Sequence, residues 1–116
     1  MDKASTLAAL KGAKPRVKRV DVPGIAEPFY VRSFPSWSRT QFEKENKGED
    51  GKLSDHFRAK LIALTLCNEA GEFLGFTAAE ILELSNADDV AMEPLFEAAL
   101  EVAGMNAKAS EQAAKN

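Results

Sequence analysis

The sequence predicts an α+β fold: an N-terminal β-hairpin followed by a small bundle of about four helices, with flexible N- and C-terminal tails. Three observations predict it. Residues 16–34 hold two short runs of β-formers on either side of Pro23-Gly24, the composition of a strand–turn–strand unit. Beyond Ser36, apolar residues recur at steps of three and four, the spacing of one helix face. The two ends are polar, Ala-rich and nearly free of bulky apolar side chains. With 116 residues the chain has the length of one domain. We place that domain at 16–104, behind a flexible basic leader (1–15) and ahead of a disordered tail (105–116).

In the leader, Leu7 and Leu10 permit a helical turn, but Gly12 and Pro15 stop it, so the segment is expected to be mobile. In the first strand Val20 and Val22 share a face. Pro23-Gly24 suits a type II turn, with Pro at i+1 and Gly supplying the positive φ at i+2. In the second strand Phe29 and Val31 lie on one face, and Tyr30, Arg32 and Phe34 on the other. A helix over about 36–47 follows, with Ser36 or Ser38 as its cap. Trp37 and Phe42 are its bulky groups and the rest is polar. Residues 48–52 form a loop. Ser54 then caps a helix over about 55–67, whose Phe57, Leu61, Ile62 and Leu64 make the main core stripe. Asn68-Glu69-Ala70-Gly71 breaks it, and Phe73, Leu74 and Phe76 form a short extended piece. Thr77 and Glu80 make a capping box for a helix over about 78–86. Asp88 and Asp89 open the last helix, about 88–103, with Val90, Leu95, Phe96, Ala99, Leu100 and Ala103 on its apolar face and Gly104 as its stop.

Composition narrows the chemistry. The net charge of −3 hides an asymmetry: residues 1–60 carry 13 basic and 8 acidic side chains, and residues 61–116 carry 2 and 10. The basic N-terminus has no aromatic residues for base stacking. No pair of helices offers a recognition helix rich in Arg, Asn or Gln, and the helical half is acidic. These features argue against nucleic acid. One Cys excludes an internal disulfide, and Cys67 with His56 makes a poor zinc set. His56 is adjacent to Asp55, and neighbours on a helix do not face each other. The seven Gly are scattered and form no phosphate loop. There is neither a signal-peptide segment nor a run long enough to span a membrane. The expectation is a cytoplasmic protein that is no enzyme and uses no cofactor or metal.

Two stretches, LIALTLCNEAGEFLGFT (61–77) and ADDVAMEPLFEAALEVAG (87–104), taken in order after the hairpin, resemble the tail assembly chaperones of long-tailed phages and prophages, of the lambda-like siphovirus type. The resemblance covers roughly 16–105, and its motifs are short and degenerate. It implies binding of the tape measure protein in the host cytoplasm, keeping it soluble while the tail tube protein assembles around it, and absence from the mature virion. It also implies a longer frameshifted product. Ala114-Lys115-Asn116 can be encoded by GCA AAA AAC, which contains a slippery heptamer. A gene with no such heptamer near its 3′ end would exclude this.

A chaperone for apolar helical stripes needs an apolar groove and a charged exterior. The candidate partner-binding residues are Phe73, Leu74 and Phe76 on the connecting segment and Met92 as an exposed position of the last helix. Val20, Val22 and Tyr30 join them on the hairpin, whose unpaired edge can add a strand from a partner or a second copy, so self-association is expected there. The alternative function is a small structural or adaptor component of a phage particle, which would be retained in the virion.

Overall fold

The computed structural model describes residues 1–46 and 56–105. The order of elements is α1 (Lys3–Lys11), β1 (Val17–Val20), β2 (Phe29–Arg32), α2 (Ser36–Asn46), α3 (Phe57–Thr65), β3 (Leu66–Cys67), α4 (Ala78–Ser85) and α5 (Asp89–Val102). The architecture is α+β, with the hairpin region at the N-terminal side and helices after it. The expected loop at 48–52, the Ser54 cap, the tail beyond Met105 and the frameshift codons at 114–116 lie outside the described residues.

The two strands pair antiparallel as the sequence predicts, but they are shorter than expected, β1 ending at Val20 and β2 beginning at Phe29, so Val22 and the Pro23-Gly24 turn lie in the connection between them. Ile25 N–H donates to the Val22 carbonyl (3.1 Å) across Pro23-Gly24, and Gly24 has φ +85°, as a type II turn requires. The sheet has a third strand that the sequence did not reveal. β2 lies in the middle, antiparallel to both β1 and β3. The helix expected to run to residue 67 ends at Thr65, and Leu66 and Cys67 pair with Val31 and Tyr30. A tight turn then closes with Gly71 N–H on the Asn68 carbonyl (2.9 Å). Phe73 pairs with Cys67 on the far side of β3.

One face of this sheet meets the helices. Val20, Val31 and Leu66 pack there against Ala59 and Ile62 of α3 and Met92, Leu95, Ala98 and Val102 of α5. Lys18 reaches from β1 to form an ion pair with Glu101 of α5. A second cluster joins Phe42 of α2 to Leu61 of α3 and Ala99 of α5. It continues through Phe57, whose ring centroid is 5.4 Å from Phe42 and 6.1 Å, edge-on, from Phe96. Arg39 adds a link from α2 to the end of α5, donating to the Ala103 carbonyl (3.3 Å). α3 is the central helix, with Ala59, Leu61, Ile62, Ala63 and Thr65 all buried. An apolar stripe becomes burial on nearly every side when helices and sheet surround it.

Several expectations are corrected. In the leader, the helical turn that Leu7 and Leu10 permit extends to a helix that stops at Gly12 as expected. Residues 3–11 are helical, capped by Asp2, whose carboxylate accepts from Ser5 N–H (2.7 Å). Neither Ser36 nor Ser38 caps α2. Both lie inside the helix, and the Pro35 carbonyl accepts from Ser38 and Arg39 (3.0 and 3.2 Å). His56 occupies the cap position of α3. On α5 the inward stripe is Met92, Leu95, Ala98, Ala99 and Val102, while Val90 is exposed. Met92 is therefore core and not an exposed position. Val20 at the end of β1 and Val22 just beyond it are core as well, both belonging to the cluster with Met92, Leu95, Ala98 and Val102 of α5.

The capping box of α4 is present in both directions: Thr77 N–H donates to Glu80 (2.9 Å), and Glu80 N–H to the Thr77 hydroxyl (3.2 Å). The backbone bond from Thr77, with help from its hydroxyl, holds the Glu80 carboxyl below its ordinary value. A lowered folded-state pKa gives stability that is present above the unfolded pKa and lost as pH falls through the folded one. Thermal melts from neutral pH to pH 3 are therefore expected to fall less for Glu80→Gln than for the parent chain. Equal slopes would show that the box does not titrate.

Candidate functional site

Three helices contribute one stripe each to a common groove. α2 gives Trp37, Gln41, Phe42 and Glu45, α3 gives Lys60, Ala63 and Leu64, and α4 gives Ala78, Ile81 and Leu82. The spacings are the three- and four-residue steps of one helix face. Phe73 and Phe76 line the groove too, as does Pro35. Its volume is about 800 Å³, and the lining is mainly apolar. α3 lies between α2 and α4 as the floor. Phe42 fixes α2 through the second core cluster, and Ile81 and Leu84 pack α4 onto the first.

Three exposed apolar groups stand at the groove: Trp37, Leu82 and Phe73. Trp37 is 73% exposed and Leu82 52%. Phe73 is 41% exposed and is positioned by the sheet. Arg19, Tyr30, Cys67 and Phe73 are successive cross-strand partners, so they share the outer face. The Arg32 guanidinium stacks 4.2 Å above the Phe73 ring and donates to the Gly71 carbonyl (2.8 Å). Gly71 has φ +86°, a conformation glycine adopts without strain. Cys67 is buried in this row, and burial pushes its thiol up against the opposing pull of Arg32. That leaves little thiolate for chemistry.

The predicted site residues separate cleanly. Phe73 and Phe76 meet at the groove. Leu74 is exposed but does not line it. Tyr30 is half-buried on the outer sheet face. Val20, Val22 and Met92 are buried in the core and present no surface. Sequence reasoning missed Trp37, Ile81, Leu82 and Leu64 as groove residues. The one available clue was Trp37, a large apolar side chain near the start of an otherwise polar helix.

His56 lines the groove's far end. Its Nδ1 lies 3.0 Å from the Ser85 hydroxyl, which itself donates to the Ile81 carbonyl (3.2 Å). The contact between the His56 ring and the Ser85 hydroxyl ties α3 to α4. Among the described residues, no group of three or more His, Cys, Asp or Glu is placed to hold a metal ion. No helix among them is long and apolar enough to cross a membrane.

Phe73 and Phe76 are expected to behave differently on substitution. Phe76 packs against the first core cluster, so Phe76→Asp should cost roughly 2 kcal/mol or more. Phe73→Asp should leave the fold intact, since the ring is rim-exposed. Urea unfolding of the two variants checks this, and equal destabilisation would make both residues part of the core. Comparison with family models, with curated proteins and with solved structures finds no match for this chain.

Proposed function

We propose that this chain is an assembly chaperone that holds an amphipathic helix of a larger partner in the α2–α3–α4 groove. The observation that carries the reading is the convergence of three helical stripes on one mainly apolar groove with Trp37 and Leu82 exposed at its rim. A contiguous exposed apolar surface on a small domain marks an interaction site. A helix laid into it buries its own apolar stripe, and the groove supplies anchors at helical spacing. The acidic helical half keeps the complex soluble and speeds encounter with a basic partner.

In the reading the sequence resemblance adds, the partner is the phage tape measure protein, a long helical chain whose apolar stripes would otherwise self-associate. The tail tube protein then assembles around the complex in the host cytoplasm, and the chaperone leaves before the virion is complete. The test is co-expression with the neighbouring large, helix-rich open reading frame, followed by pull-down and a solubility assay. The expected result is a soluble complex formed only when this chain is present. Absence of binding, with this chain found in purified particles, would instead make it a structural or adaptor component.

A further inference from the structure

The sheet order puts β2 in the middle and leaves β1 as an edge strand. Ser33 N–H donates to the Arg16 carbonyl (2.9 Å), so the backbone of Arg16 faces β2. Alternation along an antiparallel ladder then turns Lys18 and Val20 towards β2 as well, and turns the N–H and C=O of Val17 and Arg19 outward. Natural edge strands are blunted by Pro, a bulge, a covering element or an inward-pointing charge. Val17–Val20 contains no Pro, and its register with β2 runs without a bulge. Lys18 is the inward-pointing charge, on the face of Val20, but Glu101 of α5 neutralises it there. Arg19 on the outer face is matched in the same way by Asp21 (3.2 Å).

We propose that β1 pairs antiparallel with β1 of a second copy of this chain, about a two-fold axis at Lys18. The strand is self-complementary in that register. Val17 of each copy stands opposite Arg19 of the other, and each such pair exchanges both of its N–H···O bonds. The neighbouring registers fail on charge. Centred on Val17, the pairing sets Arg16 against Lys18. Centred on Arg19, it sets two Arg19 side chains face to face, and like charges directly opposite are destabilising. Centred on Lys18, the two ammonium groups arrive each with its own Glu101, so the axis gathers two cations and two carboxylates.

The joined sheet is continuous through both copies. No residue of β1 lines the groove, so the pairing leaves both grooves open and stands apart from what they bind. In the chaperone reading, a dimer offers two grooves to one long helical partner and gains avidity without any new contact.

The test is sedimentation velocity of the full chain over a concentration series, with a thermal melt of each preparation. The parent chain is expected to pass from monomer to dimer as concentration rises. Arg19→Pro removes an outward N–H and no bond of the β1–β2 ladder, so it should abolish the dimer and leave the melt nearly unchanged. Val17→Pro should do the same. Lys18→Pro deletes a bond to β2 and should lower the melt, which checks the alternation. Glu101→Lys gathers like charges at the axis and should shift dimerisation to higher concentration, and adding Lys18→Glu should restore it. A parent chain that stays monomeric overturns the proposal, as does a dimer that both outward proline variants leave intact. If those two variants unfold, the charge variants decide: a dimer weakened by Glu101→Lys and restored by the swap supports the axis at Lys18, and a dimer indifferent to both overturns it. A monomeric chain that loses its helix-rich partner on Arg19→Pro assigns the edge to a strand of that partner and overturns pairing between copies.

Discussion

Ile62→Ala is expected to destabilise the domain by about 2–5 kcal/mol, the cost of deleting a fully buried aliphatic side chain and leaving a cavity. Ile62 is completely buried between the sheet and α5, in the cluster that holds Val20, Val31, Leu66, Leu95 and Val102 together. Domains of this size have only about 5–15 kcal/mol in total, so the loss removes a large part of their stability. At roughly 4–8 °C per kcal/mol, the melting temperature should fall by at least about 8 °C. The control is Val90→Ala. The sequence reading places Val90 on the apolar face of α5, but it is exposed in the first turn and should change stability by no more than about 0.5 kcal/mol. Urea unfolding followed by circular dichroism measures both. A small effect at Ile62, or a large one at Val90, would mean that α5 packs on a different stripe.

The contrast between those two residues shows where the sequence was readable. Signals that act within a few residues were legible. Pro23-Gly24 specified its turn, Thr77 and Glu80 their box, and Asp88 its cap, whose carboxylate accepts from Val90 N–H (2.8 Å). Gly104 specified the stop of α5, with φ +69° and Met105 N–H closing on the Leu100 carbonyl (2.7 Å). Features that depend on distant partners were not legible. Leu66 and Cys67 continue the apolar run of α3, and only pairing with Val31 and Tyr30 makes them a strand. On α5 the sequence reading put Val90 on the apolar face and Met92 outside it, and packing against the sheet and α3 reversed the two. The same holds for the site. Phe73 and Phe76 could be singled out as apolar residues on a connecting segment, but the groove they line belongs to three helices whose facing stripes are set by tertiary packing. Trp37 was visible as an anomaly in a polar helix, yet its partner across the groove, Leu82, lies 45 positions further along.

The groove residues give the second large effect, and it falls on binding with little change in folding. Trp37 is mostly exposed in the free chain, so a helix laid against it would cover on the order of 100 Å² of ring, or about 2.5 kcal/mol. Trp37→Ala should therefore weaken partner binding about 60-fold, since each 1.4 kcal/mol is tenfold. Leu82→Asp should be more severe, at about 100-fold. It sets a carboxylate against the partner's apolar stripe, where a desolvated and unpaired charge is costly. Neither change touches the buried clusters, so both variants should unfold within about 1 kcal/mol of the parent. Titration of the immobilised partner with each variant, beside a urea melt of the same preparation, separates the two quantities. Unchanged affinity in both variants would place the partner on another surface, of which the outer sheet row of Tyr30, Arg32 and Phe73 is the next to substitute. Lost affinity accompanied by unfolding would show instead that α2 and α4 need these side chains to stay in place, and the groove would then be core exposed by design of the fold and not a receptor.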